Sequence, residues 1–436
     1  MNTDLKTKKC FLLVGLLVAS FLSADAAIRA ADDGFLQRPG AELYLDGKPF
    51  CEISFNKFDL FWQFLAAEIP SSNIGPEGDQ PAEAAEASLR DLGSLGFKTI
   101  RVFAAAPGVY LDPGKREKYL AATDHMLDAC DRHGLRMVFC LCADDERLWR
   151  DCGETLLDLV ARADSKSRAR FQQMVRTLVL RYRERKTIAM WEHANELLLM
   201  ADIGGKGRTW NGYKCPSLAE VARFHAETAA FIRGLDRRHL ITTGDSFRFS
   251  QWHLAQAAAG DGKDMWTLDS FQELQRALGM AQRGVDVYCV HYYNHGARGE
   301  NQVRGPSGAP VPCLPADIKR FATAAGQPLY LGEYGIAAEA HNESTRKFWS
   351  ENPDWFTSYA GDAANARRVV AASLRAVVDS KANLTHWWTY QSHRRMDQTD
   401  PQRFDIDIHR TPELVRLLVE ANRQLQMATM GFTYAK

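Results

Sequence analysis

Acidic and basic side chains balance in this 436-residue chain, 54 against 54, so it has no net charge with which to attract a polyanion. No basic run with interleaved aromatics occurs either, and nucleic acid is therefore not an expected partner. CxxC and HExxH patterns are missing, which leaves a structural or catalytic zinc without a ligand set, and no cofactor is expected. No Pro/Ser/Gly linker, low-complexity tract or short-period repeat divides the chain. After the first residues, no apolar run approaches the roughly 20 residues needed to span a bilayer.

The N-terminus is the exception to this even texture. Lys6, Lys8 and Lys9 precede an apolar run over 10–22, and Ala24-Asp25-Ala26 follows it. That is the charge, length and small-residue exit of a secretory signal over residues 1–26, so a secreted or periplasmic protein with no membrane contact after cleavage is expected. The remaining 27–436 read as one catalytic-size domain, monomeric, with 46% hydrophobic and 10% aromatic residues in the whole chain. Nine cysteines become eight when Cys10 leaves with the signal. An even count in an exported chain permits disulfides, but their connectivity cannot be read from spacing. Cys140 and Cys142, two apart in an apparent strand, would share a face and pack there rather than bond to each other.

From Phe50 onward, short β-rich runs alternate with longer amphipathic stretches, after a hairpin turn at Asp46-Gly47-Lys48-Pro49. The runs fall at 51–55, 99–104, 137–142, 188–195, 240–243, 287–291, 329–333 and 385–390. Helical patterns at 84–95, 118–133, 169–185, 218–235, 267–283, 315–325, 363–379 and 412–426 separate and follow them; the first two end at Gly96 and Gly134, both stop signals. Strand-helix alternation implies a parallel sheet with crossover helices. Eight such units predict an α/β fold, a (β/α)8 TIM barrel with extended βα loops. The long insertions, at 200–217, 247–266, 294–312 and 337–361, all follow strands and would lie on the catalytic face.

In such a barrel, reacting groups sit at strand C-terminal ends. Retaining cleavage of a glycosidic bond needs one carboxylic acid and, about 5 to 5.5 Å away, one carboxylate. The fourth run closes on Trp191-Glu192-His193-Ala194-Asn195-Glu196 and the seventh on Leu331-Gly332-Glu333, so Glu196 and Glu333 both terminate strands. Either glutamate alone would more often be a cap or a surface residue; their joint placement is the signal. Glu192, in mid-strand, reads as an interior carboxylate paired to a base. His193 reads as packing between strand and helix. Trp62, Trp149, Trp210, Trp252 and Trp266 could line sugar subsites, although aromatics in a chain this size are more often core.

These residues resemble glycoside hydrolase family 5, of the large retaining (β/α)8 clan, and the strings Trp191-Glu192-His193-Ala194-Asn195-Glu196 and Leu45-Asp46-Gly47-Lys48-Pro49-Phe50 are most similar to its β-mannanase-like subgroup. The resemblance implies Glu196 as acid/base and Glu333 as nucleophile. It also implies substrate-site roles for Arg101 beside the nucleophile, Asn195 beside the acid/base, His291 and Tyr293 on strand six, and Trp388 as the floor of the cleaving subsite. Trp387 competes with Trp388 by one residue. The chain departs from the family after strand three, where a histidine is usual and Cys140-Leu141-Cys142-Ala143-Asp144-Asp145 stands instead. Asn56 on the first strand is a further candidate. The implied activity is hydrolysis of a β-linked polysaccharide or oligosaccharide, mannan- or glucan-type. Two other classes stay open, a non-catalytic carbohydrate-binding barrel and a metal-dependent barrel hydrolase using His291 and His295.

Overall fold

The structure is a computed structural model that describes residues 34–69, 81–142, 145–210, 212–260, 265–293, 301–335, 363–391, 406 and 408–430. The expected signal segment, His295 and the insertion at 337–361 lie outside the described residues.

Eight parallel strands form the centre: β1 (Glu52–Asn56), β2 (Thr99–Phe103), β3 (Arg136–Cys140), β4 (Ile188–Glu192), β5 (Leu240–Thr242), β6 (Tyr288–His291), β7 (Leu329–Tyr334) and β8 (Leu384–Trp387). Their order in the sheet is β6-β7-β8-β1-β2-β3-β4-β5. The two ends meet through a parallel bridge between Ser246 and His291 and through the amides of Asp286 and Val287, which both donate to the Ile241 carbonyl. The sheet is thereby drawn into the (β/α)8 barrel. Around it run α1 (Pro81–Ser94), α2 (Arg116–Arg132), α3 (Lys166–Tyr182), α4 (Leu218–Leu235), α5 (Phe271–Ala281), α6 (Pro315–Ala324), α7 (Ala363–Ser380) and α8 (Pro412–Thr429).

Local chemistry explains where several elements start. Ser217 and Glu220 form a capping box on α4, and Ser270 and Glu273 form another on α5. Each satisfies orphan amides at a helix start. The second box explains a correction: the helix expected over 267–283 begins only at Phe271, because Ser270 must sit outside the helix to cap it. Asp269 stays in the loop as well, accepting from the amides of Trp252 and His253.

Strand four also stops short of its expected 188–195, at Glu192. Its tail remains zipped to the neighbouring strand, with the amides of His193, Ala194 and Glu196 donating to the carbonyls of Thr242, Thr243 and Gly244. The expected strands over 137–142 and 385–390 end at Cys140 and Trp387; beyond the first of these ends, Cys142 turns into positive φ. A helix at Leu60–Glu68, unexpected from the sequence, buries Leu60, Phe61, Phe64 and Leu65. It is apolar nearly all round, so it carries little amphipathic period.

Two apolar clusters hold the layers. The larger fills the space between strands and helices. The smaller lies inside the barrel, where Leu36 and Leu43 of the lead-in meet Val138, Met190, Leu240, Val287, Tyr330 and Leu384. The hairpin Leu43–Leu45/Lys48–Phe50 thus covers the end of the barrel where the strands begin, leaving the other end to the loops.

The same interior holds a buried polar chain. The Glu52 carboxyl meets the Thr99 hydroxyl at 2.5 Å and the Lys98 amide at 2.6 Å; Thr99 meets His386 at 3.0 Å, and His386 meets the Tyr330 hydroxyl at 2.8 Å. Burial pushes Glu52 up to about 7, against the pull of its Thr99 and Lys98 hydrogen bonds. A carboxyl whose folded pKa lies above its unfolded value stabilises the fold when protonated. That contribution is complete at low pH and is lost as pH rises from the unfolded value through the folded one. Urea unfolding between pH 5 and 8 is therefore expected to show falling stability, with roughly 3 kcal/mol traceable to this group. Glu52→Gln should flatten that slope; an equal slope in the variant would assign it elsewhere.

Candidate active site

At the loop end of the barrel, one buried cation organises the polar groups. Arg101, near the middle of β2, is fully buried. Its Nε lies 3.0 Å from both Glu192 oxygens and its Nη2 lies 2.7 Å from Glu192 Oε1. Nη2 also donates to Asn195 Oδ1 at 2.9 Å, while Nη1 donates to Asn56 Oδ1 at 3.1 Å and to Glu333 Oε1 at 2.5 Å. Arg101 therefore joins β1, β4 and β7 in one fork. Asn56 in turn donates to the carbonyls of Gly332 and His386. Glu192 occupies the interior, base-paired place expected of it.

Glu333 is the penultimate residue of β7 and is almost wholly buried. Burial raises its carboxyl above the ordinary carboxylate range, with the Glu196 charge adding to the rise, while His291 and Arg101 pull it down. Burial also pushes His291 down to about 4, against the opposing pull of Glu333. The imidazole is then neutral at pH 7, so the cation that remains beside Glu333 at that pH is Arg101. Tyr293 donates its hydroxyl to Glu333 Oε2 at 3.1 Å.

Glu196 lies four residues beyond β4 rather than at its end, in the left-handed conformation with φ of 54°. Its side chain retains 24% exposure against 6% for Glu333, so of the two it is the one with access to water. His291 Nδ1 stands between them, 3.1 Å from Glu196 Oε1 and 3.5 Å from Glu333 Oε1. One oxygen of each carboxylate and a ring nitrogen of His291 all lie within 4.8 Å of one another.

Sequence reasoning missed the groups that hold this turn. Gly244, with φ of 77°, accepts from the Glu196 amide, and a Cβ there would stand 2.1 Å from the Ala194 carbonyl oxygen. Only a residue without a side chain permits that approach. Asp245 accepts from the Leu198 amide at 2.9 Å and pairs with His225 of α4 at 2.8 Å, and His225 meets His193 at 3.3 Å. The available signal was Gly244-Asp245 directly after a β-rich run, a pattern too common to single out. His193 packs between strand and helix, as its neighbours suggested.

Of the competing tryptophans, Trp387 is fully buried edge-on to Tyr334, whereas Trp388 is partly exposed and stacks on Phe58 at 4.6 Å with the planes 15° apart. Trp149 is buried, and Trp62 and Trp252 pack on the core. Trp210 and Trp266 are exposed, at 46% and 43%, on the insertions after β4 and β5. Among the described residues, none of the eight cysteines is joined in a disulfide.

A sequence model described as Cellulase (glycosyl hydrolase family 5) matches residues 64–372. Among curated proteins, the chain is 26% identical over 248 residues to mannan endo-1,4-beta-mannosidase 2 of Oryza sativa subsp. japonica, covering 51% of this chain and 50% of that protein. It is 25% identical over 260 residues to mannan endo-1,4-beta-mannosidase 3 of Arabidopsis thaliana, covering 54% and 56%. The match thus spans about half the length of these relatives. Among solved structures, a family 5 mannosidase from Rhizomucor miehei superposes with a TM-score of 0.59 at 14% identity, over 92% of this chain and 100% of that one. At this identity the likeness concerns the fold.

The fork around Arg101 yields an expectation that does not depend on function. Arg101→Met leaves Glu192 and Glu333 buried without their cation, and breaking a buried pair from one side costs about 3–5 kcal/mol. Denaturant titration at neutral pH should show a loss of that size, smaller in acid, where the carboxyls can protonate. A variant as stable as the parent would mean that water or another cation replaces the guanidinium.

Proposed function

Because the chain belongs to glycosyl hydrolase family 5, we propose that it is a retaining β-glycoside hydrolase with Glu333 as nucleophile and Glu196 as acid/base. The observation that carries this reading is the carboxylate spacing. Oxygens of Glu196 and Glu333 lie within 4.8 Å of each other, whereas an inverting pair stands about 6.5 to 9.5 Å apart to admit a water.

In the first step, Glu333 attacks the anomeric carbon while Glu196 gives its proton to the leaving oxygen. In the second, Glu196 takes a proton from water, and the water attacks the same carbon and frees Glu333. Arg101 and Tyr293 hold one Glu333 oxygen each, which fixes the attacking group and stabilises it when it leaves as a carboxylate. The neutral His291 can donate to either glutamate without adding a positive charge that would strip Glu196 of its proton. Asn195 is fixed by Arg101, leaving its amide group for a sugar hydroxyl. Trp388 offers a flat apolar face to a pyranose ring.

The names of the relatives favour a β-1,4-linked mannan over a glucan as substrate. A panel of defined manno- and gluco-oligosaccharides tests that choice. The closeness of Glu196, His291 and Glu333 also suits a divalent cation, the second reading. Arg101, bonded to Glu333 at 2.5 Å, argues against it by placing a positive charge where the ion would sit. Activity that survives exhaustive chelation would discard that reading.

Export accords with the charged, then apolar, N-terminus, and among the described residues no helix is long and apolar enough to cross a membrane. N-terminal sequencing of protein recovered outside the producing cell should begin near Ala27; a chain retaining residues 11–22 would overturn cleavage.

The two glutamates are separable by kinetics. Glu333→Gln should lose nearly all turnover on every substrate, whatever the leaving group. Glu196→Ala should cripple cleavage of an oligosaccharide yet spare glycosylation by an aryl glycoside with an acidic phenol, which departs unaided. A burst of phenol and a sugar adduct on the peptide containing Glu333 are the expected signatures. Product of inverted configuration from the parent enzyme would defeat the double displacement.

A further inference from the structure

The departure after strand three has a chemistry of its own. Cys140 is the last residue of β3, and Cys142 follows in the left-handed region with φ of 46°. This turn brings the two sulfurs to 3.6 Å, although in a regular strand they would merely have shared a face. Cys140 is fully buried and its thiol also donates to the Ala194 carbonyl at 3.5 Å, two residues before Glu196. Cys142 is partly exposed. Of the other six, Cys51, Cys130, Cys215, Cys289 and Cys313 are buried, and Cys152 donates to the Leu148 carbonyl of the short helix Arg147–Arg150 that precedes it.

We propose that Cys140 and Cys142 form a reversible disulfide by exchange with a small-molecule disulfide, and that closing it loosens the turn carrying Glu196. The more exposed Cys142 reacts first: as thiolate it attacks one sulfur of the external disulfide and expels one small thiol. The Cys140 sulfur, its proton lost to solvent, then attacks the Cys142 sulfur of the mixed disulfide and expels the second. Two S–H bonds are lost and one S–S bond forms, while the external disulfide takes up the two electrons and becomes two thiols. The sulfurs need to close only from 3.6 Å to about 2.05 Å.

Two consequences follow from the surroundings. Burial pushes the Cys140 thiol well above its usual range, with the Cys142 hydrogen bond adding to the rise, so the second exchange is slow at neutral pH and quickens as pH rises. The bond also removes the hydrogen that Cys140 gives to Ala194. Because Leu141 donates its amide to the Glu192 carbonyl, the ends of β3 and β4 are coupled, and a shift at Cys140 is passed to the stretch that ends in Glu196.

The test uses the full chain incubated at about pH 8 with oxidised glutathione, then acid-quenched, unfolded, alkylated and mapped by mass. The peptide 137–147 should lose two hydrogens and take up no alkyl group, and dithiothreitol should reverse both. Alkylation of both cysteines, or separate glutathione adducts on each, would overturn the disulfide. A second arm rests on the glycosidase reading and measures turnover of an oligosaccharide cleaved by the untreated protein. Oxidation should lower it about three- to tenfold, the worth of one weak hydrogen bond, reversibly. Cys142→Ser should abolish the response. A disulfide that forms with no change in turnover would overturn the coupling to Glu196 while leaving the modification site in place. Should no substrate be found, the peptide mass still decides the disulfide.

Discussion

One buried guanidinium sets the terms for the whole loop end of the barrel. Arg101 cannot lose its proton and has no water to turn to, so its donors must be met by the protein. They are met by Glu192, Glu333 and Asn56 on three different strands and by Asn195 in the tail of β4. An ion cluster of this kind contributes little net stability, because desolvation offsets most of the attraction. What it contributes is position. Each carboxylate has one place in which its charge is answered, and for Glu333 that place faces Glu196.

The two glutamates are then made unequal by their surroundings rather than by their chemistry. Glu333 is enclosed, raised by burial, and anchored through both oxygens to Arg101 and Tyr293. Glu196 stands on a left-handed turn with part of its side chain in water. On the proposed double displacement, the attacking group benefits from the first environment and the group that exchanges protons with solvent from the second. His291 sits between them as a neutral ring, able to bond either without shifting the balance of charge.

The left-handed turn at Glu196 is itself supported from behind. The Glu196 amide is tied to Gly244, and the Leu198 amide to Asp245, which leans on His225 of α4. A Cβ at Gly244 would collide with Ala194 and Glu192. The stretch that follows strand five thus shapes the loop of strand four.

The alternation of β-rich and amphipathic runs and the glycines at 96 and 134 are local signals, and they marked the eight units, whereas the capping serine at 270 went unread and moved one helix start. Position after β-rich runs likewise marked Glu196 and Glu333, since reacting groups in such a barrel collect at strand ends, and the resemblance to family 5 marked Asn195, Arg101, His291 and Tyr293. Three things depended on the tertiary structure. The spacing of Glu196 and Glu333 depends on how β4 and β7 face each other across the barrel. The partition between Trp387 and Trp388 depends on which ring the last turn of β8 turns inward. The meeting of Cys140 with Cys142, and of His193 with His225 and Asp245, depends on turns and cross-element packing. The physical reason is the same for each: hydrophobic period and cap chemistry are written within a dozen neighbouring residues, whereas the answering of a buried charge is settled between residues that only closure of the barrel brings together.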